Sequence, residues 1–307
     1  MSQTTDRGYG FEYAMIERAA SILGGQIASD TETWVNENGL LKYNRLSDDV
    51  QQSMTQAAER IANFLNEYEP WIQRDTTFIE HIKTLAGSTD VSDVRISSEN
   101  KSIGVSLKSN HDAVKHPRVS PTIDVARQWL NIDTDQQYMS DVQQVFREFD
   151  EYRQQQEYTR FNEMSNEEKN HFLYRPISEK FSELLIRSFN GEQGTIAVQN
   201  ILQYLIGDQD FYKAKADFRR REIKIEAFDF RGTLGTNRRL LAPTRCLEVQ
   251  IIQGRSGMHN YINMNFDRGW EVQMRLHTAD SRINNSLKWD VQFVGTPRDA
   301  WSTTVRF

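Results

Sequence analysis

Apolar residues in the first part of the chain recur at helical intervals. Phe11, Met15, Ile16, Ala19, Ala20 and Leu23 share one helical face, and the pattern stops at Gly24 and Gly25. A second helix is predicted from Ser47, with Asp48 and Asp49 in its first turn and Val50, Met54, Ala57, Ile61 and Leu65 along one side. A third is predicted after Pro70, a good first-turn residue, and ends near Gly87.

Between Asp93 and Lys108 the helical spacing gives way to strict alternation. Val94 and Ile96, then Ile103, Val105 and Leu107, flank a polar turn of Ser98, Glu99, Asn100 and Lys101, which predicts a β-hairpin with one apolar face. Helices are expected again over 121–130, 137–156 and 195–206, and from the capping box that begins at Ser165 onward to Phe189, with Pro176 kinking or dividing that last one. Beyond Lys213 strands are predicted over 223–230, 247–252, 261–266, 271–276 and 287–294, separated by turns rich in Gly, Asn and Asp. The expected architecture is α/β. It divides into a helical part over 1–90, a hairpin with its following loop and helix over 91–131, a helical part over 132–210 and a β-rich part over 211–307, all within one compact unit.

The chain has 307 residues, 38% of them apolar and 26% charged, enough to bury a core. Its apolar runs are short of membrane-spanning length and its first residues lack an apolar export signal, so a cytoplasmic protein is expected. The single cysteine, Cys246, excludes an internal disulfide and a cysteine-built zinc cage. The net charge of -6 conceals an uneven distribution: residues 213–245 hold ten basic side chains against four acidic ones. A basic stripe of this kind binds polyanions, or else forms a solvated mixed face.

On the hairpin, side-chain alternation places Asp93, Ser106 and Lys108 on the polar face. A carboxylate beside a lysine can hold a divalent metal and position a water, although a plain cross-strand ion pair has the same spacing. The residues that follow, Lys108, Asn110, His111, Asp112, Lys115, His116 and Arg118, add groups suited to phosphate or metal, and the two histidines suit phosphate contact, proton transfer or loop hydrogen bonding. Patterns for a serine triad, a P-loop, a dinucleotide fold or an H-E-x-x-H metalloprotease do not occur.

The run from Asp93 to Arg118 resembles the PD-(D/E)xK nuclease core, and the stretch SLKSNHDAVKHPRVSPTIDVARQWLN resembles the HaeIII-type type II restriction endonucleases. The likeness is firmest over 91–131, with weaker support from Gly10 to Tyr13 and from SLKWDVQFVG at 286–295. It implies a restriction-endonuclease-like core, Mg2+ as cofactor, double-stranded DNA as substrate, the palindrome GGCC as target and cleavage of both strands. It also implies a companion DNA methyltransferase and a homodimer on the palindrome. Two positions depart from the pattern: Ser92 stands where proline is usual, and Ser106 replaces the second acid. Asp93 and Lys108 are then the catalytic pair, with Asn110 and His111 nearby. The missing metal ligand falls to Glu12, on the first helix after a glycine, or to Asp112.

For DNA contact the residues singled out are Lys115, His116, Arg118, Arg220, Asn237, Arg238, Arg239, Arg255, Asn263, Asn265, Arg268 and Arg282. Arg238 and Arg239 lead because arginine offers the paired donors that match guanine. Trp270, Trp289 and Trp301 are expected in the core. A non-catalytic DNA-binding protein with a degenerate nuclease site is the competing expectation, with Ser106 as its mark.

Overall fold

The computed structural model describes residues 3–72, 76–83, 90–109, 113–207, 209–297 and 300–307. In chain order the elements are α1 (Gln3–Leu23), β1 (Gln26–Ile27), α2 (Ser29–Trp34), α3 (Leu40–Tyr43), α4 (Asp48–Tyr68), β2 (Thr77–His81), β3 (Val94–Ser98) and β4 (Lys101–Ser109). There follow β5 (Ala113–Lys115), β6 (Arg118–Val119), α5 (Val125–Trp129), α6 (Gln136–Gln155), α7 (Asn166–Lys169), α8 (Arg175–Asn190) and α9 (Gly194–Ile206). The chain closes with β7 (Phe211–Asp217), β8 (Glu222–Phe228), β9 (Cys246–Ile252), β10 (Tyr261–Phe266), β11 (Glu271–Thr278), β12 (Leu287–Gly295) and β13 (Ser302–Arg306).

The chain folds into two compact units, one of Met1–Asp112, Asp208–Leu241 and Asp299–Phe307, the other of Ala113–Gly207 and Ala242–Arg298. The segments read along the sequence are thus distributed over both: the hairpin lies in the first unit, and most of the chain that follows it lies in the second.

The first unit is built on a seven-stranded mixed sheet of order β1-β2-β3-β4-β7-β8-β13, in which β4 and β7 run parallel. Helices α1 and α4 pack on each other and α1 reaches β2, β3 and β4. The stripe that predicted α1 is buried at Phe11, Met15, Ile16 and Ala19, and that of α4 at Met54, Ala57, Ile61 and Leu65. Ile103, Val105, Leu107, Ala214 and Ile225 meet them from the sheet. Each fully buried aliphatic side chain stabilises the fold by roughly 1.5–3 kcal/mol.

The second unit carries an antiparallel sheet of order β5-β12-β11-β10-β9, with β6 also on β12. One face, with Ile262, Met264, Val272, Met274, Trp289 and Val291, is buried, and α8 packs on β9 and β10. Trp270 and Trp289 are core residues as expected, while Trp301, in the first unit, is half-buried. Ser165 caps α7 through the predicted box. Ahead of Pro176 the helix widens into a π-turn over Asn170–Tyr174, with Arg175 N–H bound to Asn170 O, and runs on into α8 with the proline at the junction rather than in the middle of a regular α-helix.

The helix expected after Pro70 is a correction. Thr77–His81 forms β2, antiparallel to β3, with Thr77 and Ile79 buried and Phe78 exposed. β-Branched residues at alternate positions pack on a pleated surface and gain a ladder to β3, which overrides the proline signal.

Candidate active site

The β3–β4 hairpin turns at Glu99 and Asn100, with Ser98 opposite Lys101 and Glu99 in the left-handed region at φ 53°. From that register Asp93 arrives at the level of Ser106 and Leu107, as alternation predicted. Its backbone is fixed on both sides: its N–H donates to Val105 O at 2.9 Å and its carbonyl accepts Ile82 N–H at 3.0 Å. Its carboxylate accepts the Leu107 N–H at 2.6 Å, Lys108 Nζ at 3.3 Å and a long contact from Ser106 Oγ at 3.5 Å. All three fall on Oδ2, so Oδ1 takes no part in them.

The polar face of the hairpin is covered at Ser106, which is only 1% exposed, and half-buried at Asp93 and Lys108. Across the parallel β4–β7 pair, Ser106 is registered with Lys213 and Lys108 with Lys215, and Lys213 is buried. Two lysines of the predicted basic stripe therefore belong to the sheet beside Lys108.

Glu12, on α1, is held by a residue sequence reasoning missed. Its Oε2 lies 3.0 Å from His81 Nε2 at the end of β2. His81 is fixed in turn: its ring stacks on Trp34 at 3.6 Å and 12°, and its N–H donates to Thr31 Oγ1 at 2.8 Å. Gly39 makes room for that indole, since a Cβ there would come within 2.8 Å of the Trp34 ring. The Glu12 carboxyl is pushed above its ordinary pKa by burial, drawn down by the His81 hydrogen bond, pushed up again by the charge of Asp93 and drawn down by His81 and Lys108. Glu12, Asp93 and Lys108 thus lie within range of one another's charges. The signal for His81 was the alternation Thr77, Ile79, His81, legible only if the segment is read as a strand.

Two carboxylates and a lysine suit a hard divalent ion. Magnesium is held by one or two carboxylates together with waters and substrate phosphates, so a full protein cage is not needed. Among the described residues no three acidic, histidine or cysteine side chains converge as a metal site.

Asn110, His111 and Asp112 lie outside the described residues. Arg220, Asn237, Arg238 and Arg239 are exposed on the first unit. The loop bearing the last three is bolted from beneath. Asp210 accepts the N–H groups of Phe230, Arg231 and Thr233, and Asp229 those of Thr233 and Leu234. Glu69 accepts Gly235 N–H at 2.8 Å and the Tyr212 hydroxyl at 2.5 Å. Arg239 Nε donates to Phe230 O, and Asn237 Nδ2 to Gly235 O.

The other residues singled out sit on the second unit. Lys115 turns onto Tyr204, donating to its carbonyl and lying 3.8 Å from its ring centroid, and burial lowers its pKa to about 8. His116 pairs with Asp290 at 2.7 Å and Arg118 donates to Ser286 at 3.2 Å. Asn263 accepts from Gln273 Nε2, Asn265 donates to Glu248, and Arg268 donates to Ala242 O. Arg255 lines a concavity of about 670 Å³ with Arg275 and His277, and Arg282 is exposed.

The chain belongs to the HaeIII restriction endonuclease family, whose model matches residues 8–297. It is by that membership a type II site-specific deoxyribonuclease, an enzyme of double-stranded DNA. Type II restriction enzyme HaeIII of Haemophilus aegyptius is 28% identical to it over 315 residues, covering 96% of each chain. No solved structure matches. Among the described residues, no helix is long and apolar enough to cross a membrane.

Proposed function

We propose that this enzyme makes Mg2+-dependent cuts in both strands of a short palindrome, GGCC, with a PD-(D/E)xK-like site on the β3–β4 hairpin. The observation that carries the reading is the placement of Glu12, Asp93 and Lys108 within range of one another's charges, with Asp93 anchored at 2.6 Å to the amide beside Lys108. Asp93 and Glu12 would hold Mg2+. The ion would supply Lewis-acid stabilisation of charge on phosphate oxygen and ease ionisation of a water. Lys108, fixed by Asp93 at 3.3 Å, orients the attacking water and stabilises the charge that develops in an in-line attack on phosphorus. Ser106 brings no charge; in this reading its duty as the second acid has passed to Glu12 on α1.

Arg238 and Arg239 are proposed to contact guanine from their bolted loop. Arg220, Arg255, Asn263, Asn265, Arg268, Arg282, His116 and Arg118 supply backbone or base contacts, since most hydrogen bonds to DNA go to phosphate and sugar. A palindromic target suits a homodimer, and a companion methyltransferase would protect the host's own sites.

The test is digestion of plasmid DNA with Mg2+ and again with EDTA. Discrete fragments in Mg2+ alone are expected. Retarded but intact DNA under both conditions would make the protein a binder without catalysis.

A further inference from the structure

We infer that His81 is a positioning residue for the active site: it holds Glu12 in the rotamer that presents the carboxylate to the metal. The inference rests on the reading of Glu12 as a metal carboxylate and adds the group that makes a helix-borne glutamate usable for that purpose. Glutamate has three side-chain torsions, and a carboxylate serves as a ligand only if something stops it from swinging. Here the Nε2 edge of one imidazole occupies Oε2 at 3.0 Å and leaves Oε1 clear of that bond.

His81 is itself immobilised at three places. Its backbone is paired with Val94, next to Asp93, so β2 and β3 set the distance between the two acids. Its N–H is bound by Thr31 Oγ1, and its ring lies flat on Trp34 at 3.6 Å. The side chain is 8% exposed, and among the described residues Nδ1 has no partner, so its one directional side-chain bond goes to Glu12. The bond joins two largely covered side chains, 8% and 16% exposed, and Glu12 in turn feels the charges of the hairpin's Asp93 and Lys108. Groups that orient a metal ligand in this way typically matter by about 10- to 100-fold in metal affinity or activity.

The test compares two isosteres in the full chain. In His81→Gln the amide nitrogen falls close to the position of Nε2 and can still donate to Glu12, whereas in His81→Asn it falls close to Nδ1 and cannot. Expected for His81→Asn are a loss of about 10- to 100-fold in single-turnover cleavage at saturating DNA and weaker Mn2+ binding by electron paramagnetic resonance without DNA. DNA affinity without divalent metal, in EDTA, should be unchanged, and His81→Gln should recover most of both losses. Equal impairment in the two variants, or wild-type cleavage and Mn2+ binding in His81→Asn, overturns the inference. One measurement does not depend on how the variants fold: in the wild-type enzyme labelled with 15N-histidine, added Mg2+ should shift the His81 Nε2 resonance, and an unmoved resonance overturns the inference too. Glu12→Gln separates the two levels. If it cleaves normally, the underlying reading of Glu12 fails; if it is inactive while His81→Asn is normal, only the role of His81 fails.

Discussion

Ser92 lies directly over the α-carbon of Gly104: a Cβ added at position 104 would stand 1.8 Å from Ser92 Oγ and 2.9 Å from Ser92 Cβ. Neither side can yield easily, because β4 is held between β3 and β7 and the segment ahead of β3 is tied down, Ser92 N–H being bound to Asp90 Oδ1 at 2.8 Å. Ser92 directly precedes Asp93 in the chain. Gly104→Ala should therefore destabilise the protein by about 1–3 kcal/mol, the usual cost of overpacking, and should lower cleavage beyond what its residual stability explains. Urea unfolding and single-turnover rates measure the two effects. Adding Ser92→Gly should restore most of each; a double variant no better than the single one removes the steric explanation.

Lys108→Ala should abolish cleavage while leaving DNA affinity in Ca2+ within about twofold, because the ammonium acts on charge that exists in the transition state rather than in the bound substrate. Asp93→Asn should be equally inactive and should bind metal less tightly. Cleavage by Lys108→Ala at near the wild-type rate would take the lysine out of the mechanism.

The buried acid under the loop of residues 230–240, Asp229, makes stability depend on pH. Burial, and after it the neighbouring Asp210, push Asp229 up to about 6 from the ordinary 3.8. The folded state holds this proton more tightly than the unfolded chain does, so the group's stabilising contribution is complete below about pH 4 and is lost as pH rises through about 6. Asp229→Asn keeps an acceptor for Thr233 and Leu234 and removes the titration. Between pH 4 and 7.5 its unfolding free energy should lose roughly 1–3 kcal/mol less than the wild type's, by urea unfolding. Identical pH profiles would show that Asp229 does not titrate in this range.

Arg238 and Arg239 are exposed on one loop but differently restrained, since Arg239 Nε is committed to Phe230 O at 2.7 Å. Arg238→Ala is expected to cost about 1–3 kcal/mol of discrimination between the cognate duplex and one with a single base changed. An arginine that meets only phosphate would instead weaken all duplexes alike and reduce the salt slope by about one unit. If both alanine variants keep wild-type discrimination, base reading moves to the second unit, among Asn263, Asn265, Arg268 and Arg282.

Where a single element carries its own pattern, the sequence predicted it well. The stripe of α4 starts behind Ser47 and buries Met54, Ala57, Ile61 and Leu65, four of the five residues its spacing named, with Val50 half-buried, and the hairpin register that brings Asp93 beside Lys108 follows from alternation about the polar turn. Glu12 could be singled out only through family likeness, because nothing local in the sequence ties the first helix to the hairpin. His81 was illegible for a related reason: Pro70 favoured a helix there, and only pairing with β3, a contact to a separate strand, decides for β2. The basic window was misleading in part, since a count of charges along the chain cannot show that Lys213 points into a covered sheet face. The buried bonds of Glu69 to Tyr212 and Gly235 span more than a hundred residues and leave no periodic trace.

The central claim, metal-dependent cutting at one short site by the Glu12, Asp93 and Lys108 cluster, is tested most directly by sequencing the fragment ends from a large DNA of mixed sequence. The digestion is run with Mg2+, with EDTA and with Asp93→Asn. The account predicts ends that all fall within one palindrome, GGCC, in the wild-type Mg2+ digest, and uncut DNA in the other two. Ends scattered without a common sequence, or the same cuts made in EDTA or by Asp93→Asn, would contradict it.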